Sequence, residues 1–359
     1  MEKPLNILLL ADGRSVHTER YATALRERGM TVWVASLEPG DMVDIPLKGK
    51  LGIAGLDYVF IAGQLSEIVK KHGIDIVDAH SASGYGFSAA VSRVWKTAPL
   101  VLHCLGSDIL ISARKSAIHL ARVRTSLGRA AVVFSDSEYM SSKIREIDSD
   151  ANIKIKYWGA EKAVFDVYHR KSEWNFVKRA VIDILVPRPQ EEVYNNEVII
   201  EALSDFVSQR RITLTFPNWG TRLEGFEALV RGRFNSGQVR FYDRLSRPAY
   251  PEFLSGFDVY LSASRSDSSP ASLIEAMAAG LFPIVGDIDG VKEWMDDKSG
   301  LMFDTTSAAS LKQAFEKLLS GQVEPEKIIQ GNREKAERRG HFEDGIETTI
   351  KIMQELHHV

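Results

Sequence analysis

Short runs of β-branched and aliphatic residues alternate with helically spaced apolar residues from one end of this chain to the other. That rhythm predicts an α/β chain, with parallel strands wrapped by helices. In the first half, strands are expected at residues 5–10, 31–35, 76–79, 100–103, 132–135 and 153–157. In the second half they are expected at 181–186, 212–216, 239–241, 258–261, 282–285 and 301–303. Segments 20–28 and 64–71 read as amphipathic helices between them, and Ile346, Ile350, Met353 and Leu356 mark a last helix over 342–357. Two sets of strands imply two Rossmann-like domains, although no sequence repeat relates the halves. At 359 residues the chain is too long for one ordinary core and suits two. In open α/β sheets ligands sit beyond the carboxyl ends of the strands, so the loops that follow them are where chemistry is sought.

The richest loop runs Ser-Arg-Ser-Asp-Ser-Ser-Pro-Ala-Ser-Leu-Ile-Glu-Ala-Met-Ala-Ala-Gly, from Ser264 to Gly280. Ser269 is a natural N-cap, Pro270 suits the first helical position, and Gly280 is placed to end the helix. Leu273, Ile274 and Met277 form the buried stripe. Backbone N–H groups at Ala271, Ser272 and Leu273 would point out of the helix start, where a phosphate binds well. Glu275 lies off the stripe, about a turn further in, and can accept hydrogen bonds from hydroxyls. Phosphate at the helix start with hydroxyls along one side is the profile of a nucleotide-sugar.

With these residues in view, the chain resembles the retaining GT-B glycosyltransferases of family four, the "group 1" transferases. The family carries two acids separated by seven residues, then a small-residue Glu-Ala-Met-Ala-x-Gly run. Here the first acid is Asp267 rather than Glu, as in one branch of the family, and the second is Glu275. The resemblance continues through Leu281–Val285 as Leu-Phe-Pro-Ile-Val, then Gly290-Val291-Lys292-Glu293-Trp294 and Ser299-Gly300-Leu301-Met302-Phe303. It implies a GT-B architecture, two Rossmann-like domains facing across a cleft. An acceptor-binding domain of residues 1–165, joined by the final helix 342–357, would face a donor-binding domain of residues 166–341. The linker is placed near 163–172, after a string in which Trp158 replaces the family's Asn.

By the same resemblance, Arg188, in Val186-Pro187-Arg188, meets the donor diphosphate, a role its fork suits because it can hold phosphate oxygens bidentately. Glu275 would hold the ribose hydroxyls and Asp267 those of the donor sugar. A Lys usually follows the arginine; here that position carries Tyr194, followed by Asn195. Arg265 or Arg14 could compensate. In the first half, Gly13 and Arg14 lie in the loop beside the donor diphosphate. His103 ends a strand where the family touches the transferred sugar, and His17, His80 and Tyr85 are expected to face the acceptor. Catalysis is assigned to Arg188, Asp267 and His103 without a metal, since no acidic metal-binding pair appears in a convincing context.

Composition narrows this further. A net charge of −3 excludes a wholesale nucleic-acid binder. One cysteine, Cys104, allows no internal disulfide, which fits a reducing cytosol. The opening apolar run is too short for a signal peptide, and no run approaches the length of a membrane span. Residues 109–135 hold Arg114, Lys115, Arg122, Arg124 and Arg129 with no acid, a face that could touch an anionic membrane. The expectation is a cytoplasmic hexosyltransferase with no cofactor. Its donor would be a UDP- or GDP-hexose, and its acceptor a glycan or lipid-linked sugar in cell-surface glycan or glycolipid synthesis. The alternatives are a non-catalytic partner or glycan-binding subunit, supported by the missing Lys, and a GT-B nucleotide-sugar epimerase. A nicotinamide dehydrogenase lacks the glycine fingerprint.

Overall fold

The computed structural model describes residues 4–49, 54–170, 174–235 and 237–358. They fall into two compact units: the chain through Tyr157 together with residues from Glu343 onward, and Trp158–Phe342. The division comes before the expected boundary at 165/166. Ala160 pairs in parallel with His341, and the Ala160 N–H donates to Gly340 O at 2.7 Å, so this stretch belongs to the second unit. Residues 171 and 172 of the expected linker lie outside the described residues.

The first unit is built on a seven-stranded sheet. Its strands are β1 (Asn6–Leu10), β2 (Thr31–Ser36), β3 (Ile45–Pro46), β4 (Ile76–His80), β5 (Leu100–His103), β6 (Val132–Ser135) and β7 (Ile153–Ile155). They lie in the order β3-β2-β1-β4-β5-β6-β7, all parallel. Ile7, Leu8, Leu9 and Leu10 are fully buried, so both faces of the central strand are covered, as an unbroken apolar run in a parallel sheet requires. The two-residue β3 was not anticipated, because so short a pairing leaves no periodic signal. The final helix, Phe342–His357, buries Ile346, Thr349 and Met353, and from Glu343 it belongs to this unit.

The second unit has six parallel strands: β8 (Ile182–Leu185), β9 (Ile212–Pro217), β10 (Val239–Tyr242), β11 (Val259–Ser262), β12 (Phe282–Gly286) and β13 (Leu301–Phe303). Their order is β10-β9-β8-β11-β12-β13. Both sheets therefore run outward from a central pair, β1 beside β4 and β8 beside β11, where the direction of winding reverses. Such a reversal parts the loops at the carboxyl ends of the two strands and leaves room for a ligand. Arg188 follows β8 and Asp267 follows β11.

Candidate active site

The helix Ala271–Ala279 begins behind Pro270 and closes on Gly280 at φ 79°. Pro270, not Ser269, holds the N-cap position, and no side chain caps the helix. Ser269 is engaged elsewhere: the buried Trp294 indole donates to its Oγ at 2.9 Å. Of the three amides expected at the helix start, Leu273 N–H is already bonded to Pro270 O at 3.0 Å. Those of Ala271 and Ser272 carry no hydrogen bond among the described residues, which leaves two donors for an anion.

Arg188 lies close to Tyr260, whose phenol acts on its charge and whose OH lies 3.1 Å from Ser272 Oγ at this helix start. It also forms an ion pair with Asp267, the two side chains being 15% and 17% exposed. The Tyr194 ring lies 5.3 Å from the guanidinium carbon, a cation–π contact. Burial opposes the charge on Arg188, but Asp267, with Tyr260 and Tyr194, more than offsets it, and the arginine's pKa is raised. Arg188 Nε is buried and donates to no partner among the described residues.

The Asp267 loop is held from behind. Its Oδ1 accepts the Ser268 N–H at 2.9 Å. A Cβ on Gly290 would lie 1.9 Å from the Asp267 carbonyl oxygen, so only glycine allows this approach. Gly290 and Trp294 thus bracket the loop on either side of Ser268, which gives the Gly-Val-Lys-Glu-Trp string a physical purpose. Along the helix, Tyr250 OH donates to Glu275 Oε2 at 3.1 Å and fixes one oxygen of that carboxylate. Burial first, and then Glu275, raise the pKa values of Tyr250 and Tyr242, which keeps both as neutral phenols.

Tyr194, Tyr242, Tyr250 and Tyr260 surround the three charged side chains; the sequence marked Tyr194 only as standing at the family's Lys position and gave Tyr250 and Tyr260 no role. Tyr260 lies inside a strand, where an aromatic reads as packing, and Tyr250 lies in a proline-flanked turn. Neither has a spacing that signals chemistry. Arg265 is exposed, and its own N–H is tied to Val193 O.

The first unit gathers its expected residues differently. Gly13 abuts its own chain: a Cβ there would lie 2.4 Å from Val43 Cγ2 and 2.6 Å from Glu38 O. The close approach that needs glycine is to the loop after β2. Arg14 pairs with Asp12 at 3.0 Å and Glu38 at 3.3 Å, so two carboxylates already share its charge. His17 is exposed at the start of the helix Val16–Glu27. Tyr85 is buried and its OH brackets the chain, accepting Leu37 N–H at 2.9 Å and meeting Ser36 Oγ at 3.1 Å.

His80 and His103 are also buried, in a cluster around Asp78. His103 Nε2 lies 3.3 Å and His80 Nε2 3.9 Å from Asp78 Oδ1. Tyr21 OH donates to Asp78 Oδ2 at 2.6 Å, and Lys156 Nζ sits 4.5 Å from the centre of the Tyr21 ring. With 1% exposure, His103 does not present an open face to a sugar hydroxyl as expected. Burial pushes both imidazoles well below their usual range, raises Asp78 and lowers Lys156. Asp78, His80 and His103 are also spaced as metal ligands are, their ligand atoms lying within 4.8 Å of one another. The Lys156 cation acting on Asp78 already offsets that carboxylate's charge.

Of the bases in 109–135, Arg122 lies over Phe87, Arg129 lies over Trp95, and Arg124 donates to Ile147 O. Arg114 and Lys115 are exposed, near Ile118, which is 67% exposed. Among the described residues no helix is long and apolar enough to cross a membrane.

Comparison with known families agrees with this geometry. Residues 174–335 match the family of glycosyl transferases group 1, and residues 6–137 match the glycosyl transferase 4-like family. Together the matches span most of the chain. The second half of the chain is thus similar to the group 1 glycosyl transferases and the first half to the 4-like family. A glycosyltransferase from Rickettsia africae superposes with TM-score 0.74 at 19% identity, covering 99% of each chain. Sucrose-phosphate synthase from Thermosynechococcus elongatus gives 0.77 at 14% identity, over 98% of this chain and 99% of that one. The Anabaena protein HepE, solved in complex with UDP-glucose, gives 0.77 at 14%, over 98% and 100%. At such identities the likeness establishes a shared GT-B fold. No curated protein matches the chain in sequence.

Proposed function

We propose that the chain is a retaining hexosyltransferase that takes a nucleotide diphosphate sugar as donor and passes the sugar to an acceptor hydroxyl. The observation that carries this reading is the grouping of Arg188 and its partner Asp267 with Tyr260, whose OH meets Ser272 Oγ at the helix start, and with Glu275 a turn further along. The two unengaged amides and Arg188 Nε–H receive the diphosphate, and they stabilise negative charge on it as the sugar departs. The Glu275 carboxylate accepts from ribose hydroxyls, and Asp267 accepts from hydroxyls of the sugar. The similarity to HepE, solved with UDP-glucose, favours a UDP-sugar.

The first unit supplies the acceptor side. His17 is its most accessible candidate, while His80, His103 and Tyr85 shape that side from within rather than touch substrate. The acceptor is a glycan or a lipid-linked sugar made on the cytoplasmic face for the cell surface, with Arg114, Lys115 and Ile118 against the bilayer. No metal is required, because Arg188 and the helix amides carry the leaving-group charge.

Calorimetry with UDP, GDP and ADP, then a transfer assay with and without acceptor and with a chelator present, tests this reading. Arg188→Ala is expected to lower transfer more than tenfold, and Glu275→Ala to weaken nucleotide binding chiefly, with chelation leaving the rate unchanged. Normal donor affinity and rate in both variants would refute the site. One observation favours a second reading: Tyr194 places a neutral ring where a second cation is usual, which fits a binding partner that does no chemistry. Nucleotide binding with no turnover on any acceptor would select it. Turnover without an acceptor would select the epimerase.

A further inference from the structure

Among the charged groups at the carboxyl ends of β8 and β11, Arg188 and Asp267 make one contact that the donor must disturb. We infer that Asp267 is a selectivity residue: it competes with the diphosphate for Arg188, so the site favours the sugar-bearing donor over the bare nucleoside diphosphate left after transfer. This rests on the nucleotide-sugar reading above and adds a direction to it.

The aspartate is fixed rather than mobile. Gly290 closes on its backbone carbonyl and Ser268 N–H holds its Oδ1, so Oδ2 is aimed at one edge of the Arg188 fork. Both side chains are more than four-fifths buried, where charge interactions are screened far less than at the surface. Around them the site carries two carboxylates, Asp267 and Glu275, against one guanidinium. Tyr194 contributes a ring face and no charge. An incoming diphosphate can take the unpartnered Nε–H and the two helix amides, yet it then lies beside an aspartate that shares its cation.

A hexose on that diphosphate changes the balance, because its hydroxyls can donate to Asp267 and replace the hydrogen bonds the carboxylate gives up at Arg188. A bare nucleoside diphosphate brings no such donors. The repulsion is then unrelieved and the product leaves.

The test compares the full chain with its Asp267→Asn variant, which keeps shape and removes charge. Dissociation constants for UDP, GDP and ADP are measured by calorimetry at low and high salt, with transfer rates alongside. The nucleoside diphosphate that binds the parent protein is expected to bind Asp267→Asn at least fivefold more tightly, with the gain shrinking as salt rises. Transfer should fall more than tenfold. A purely structural aspartate would give weaker binding on substitution, never tighter.

Tyr194→Lys supplies a second cation without touching Asp267, and it too should tighten nucleoside diphosphate binding. Unchanged or weaker affinity in both variants overturns the selectivity role. If the parent binds no nucleoside diphosphate, or Arg188→Ala binds as well as the parent does, the nucleotide-sugar reading itself fails. Loss in Arg188→Ala with no gain in the other two removes only the inference drawn here.

Discussion

Gly290 shows how an unremarkable residue governs a charged one. Its hydrogen is what admits the Asp267 carbonyl, and any side chain must push the loop aside. Gly290→Ala is therefore expected to displace Asp267 from Arg188 and to lower kcat/KM more than tenfold. The overpacking itself should destabilise the fold by about 1–3 kcal/mol. Steady-state kinetics beside a thermal melt check this; a full rate at unchanged stability would mean the loop tolerates the move. The sequence marked Arg188, Asp267 and Glu275 through the resemblance of their surrounding strings to the group 1 motif, with the helix start adding a physical reason for Glu275. It also pointed to Gly290, but only as part of a string. The tyrosines stayed hidden: whether a phenol on a strand packs or donates depends on which loops face its OH, and spacing does not carry that information.

At the level of elements, the strands were legible because parallel strands buried on both faces need long apolar runs, and the carboxyl-end loops followed from them. What the runs did not reveal is what happens just past β4 and β5. There the chain continues into the wide helical turns Ser81–Tyr85 and Asp108–Ser112, and His80 and His103 turn inward against Asp78. The outcome is a pH-sensitive core.

Burial holds both imidazoles neutral in the folded state, whereas in the unfolded chain they take up protons below about pH 6.5. A depressed pKa gives stability that is present above that value and lost as pH falls. Asp78, raised by burial to about 7, works in the opposite sense across pH 4–7, one carboxyl against two imidazoles. Lys156, lowered by burial to about 7, exerts its effect at higher pH. Between pH 6.5 and 4.5 the cluster therefore loses stability at about 1.4 kcal/mol per pH unit for each net proton. Thermal melts should show the first unit's transition falling by roughly 3–6 °C per unit in that window. His103→Gln should flatten the slope. A slope that is absent in the parent, or unchanged in the variant, would place charged imidazoles in the core after all.

On the scale of the whole molecule, two sheets with the same outward winding arise from halves with no shared repeat, because a parallel sheet asks only for apolar runs at suitable intervals. That is why two Rossmann-like domains could be read from pattern alone. The point of division could not, since it depends on Ala160 pairing with His341, far along the chain. Each unit has its own core. One is built from residues such as Leu8, Val77, Leu102 and Val133, the other from Ile184, Leu214, Leu261 and Ile284. Arg188, Tyr260, Asp267, Ser272 and Glu275 all lie within Trp158–Phe342. A fragment of residues 158–342 is thus expected to fold cooperatively and to bind the same nucleoside diphosphate as the full chain, with the same dependence on Arg188. Transfer should be absent from it if, as proposed, the first unit supplies the acceptor side. Calorimetry on the fragment checks the first expectation and a transfer assay the second. A folded fragment that binds no nucleotide would mean that residues of the first unit complete the donor site, and the self-contained site described for the second unit would then be wrong.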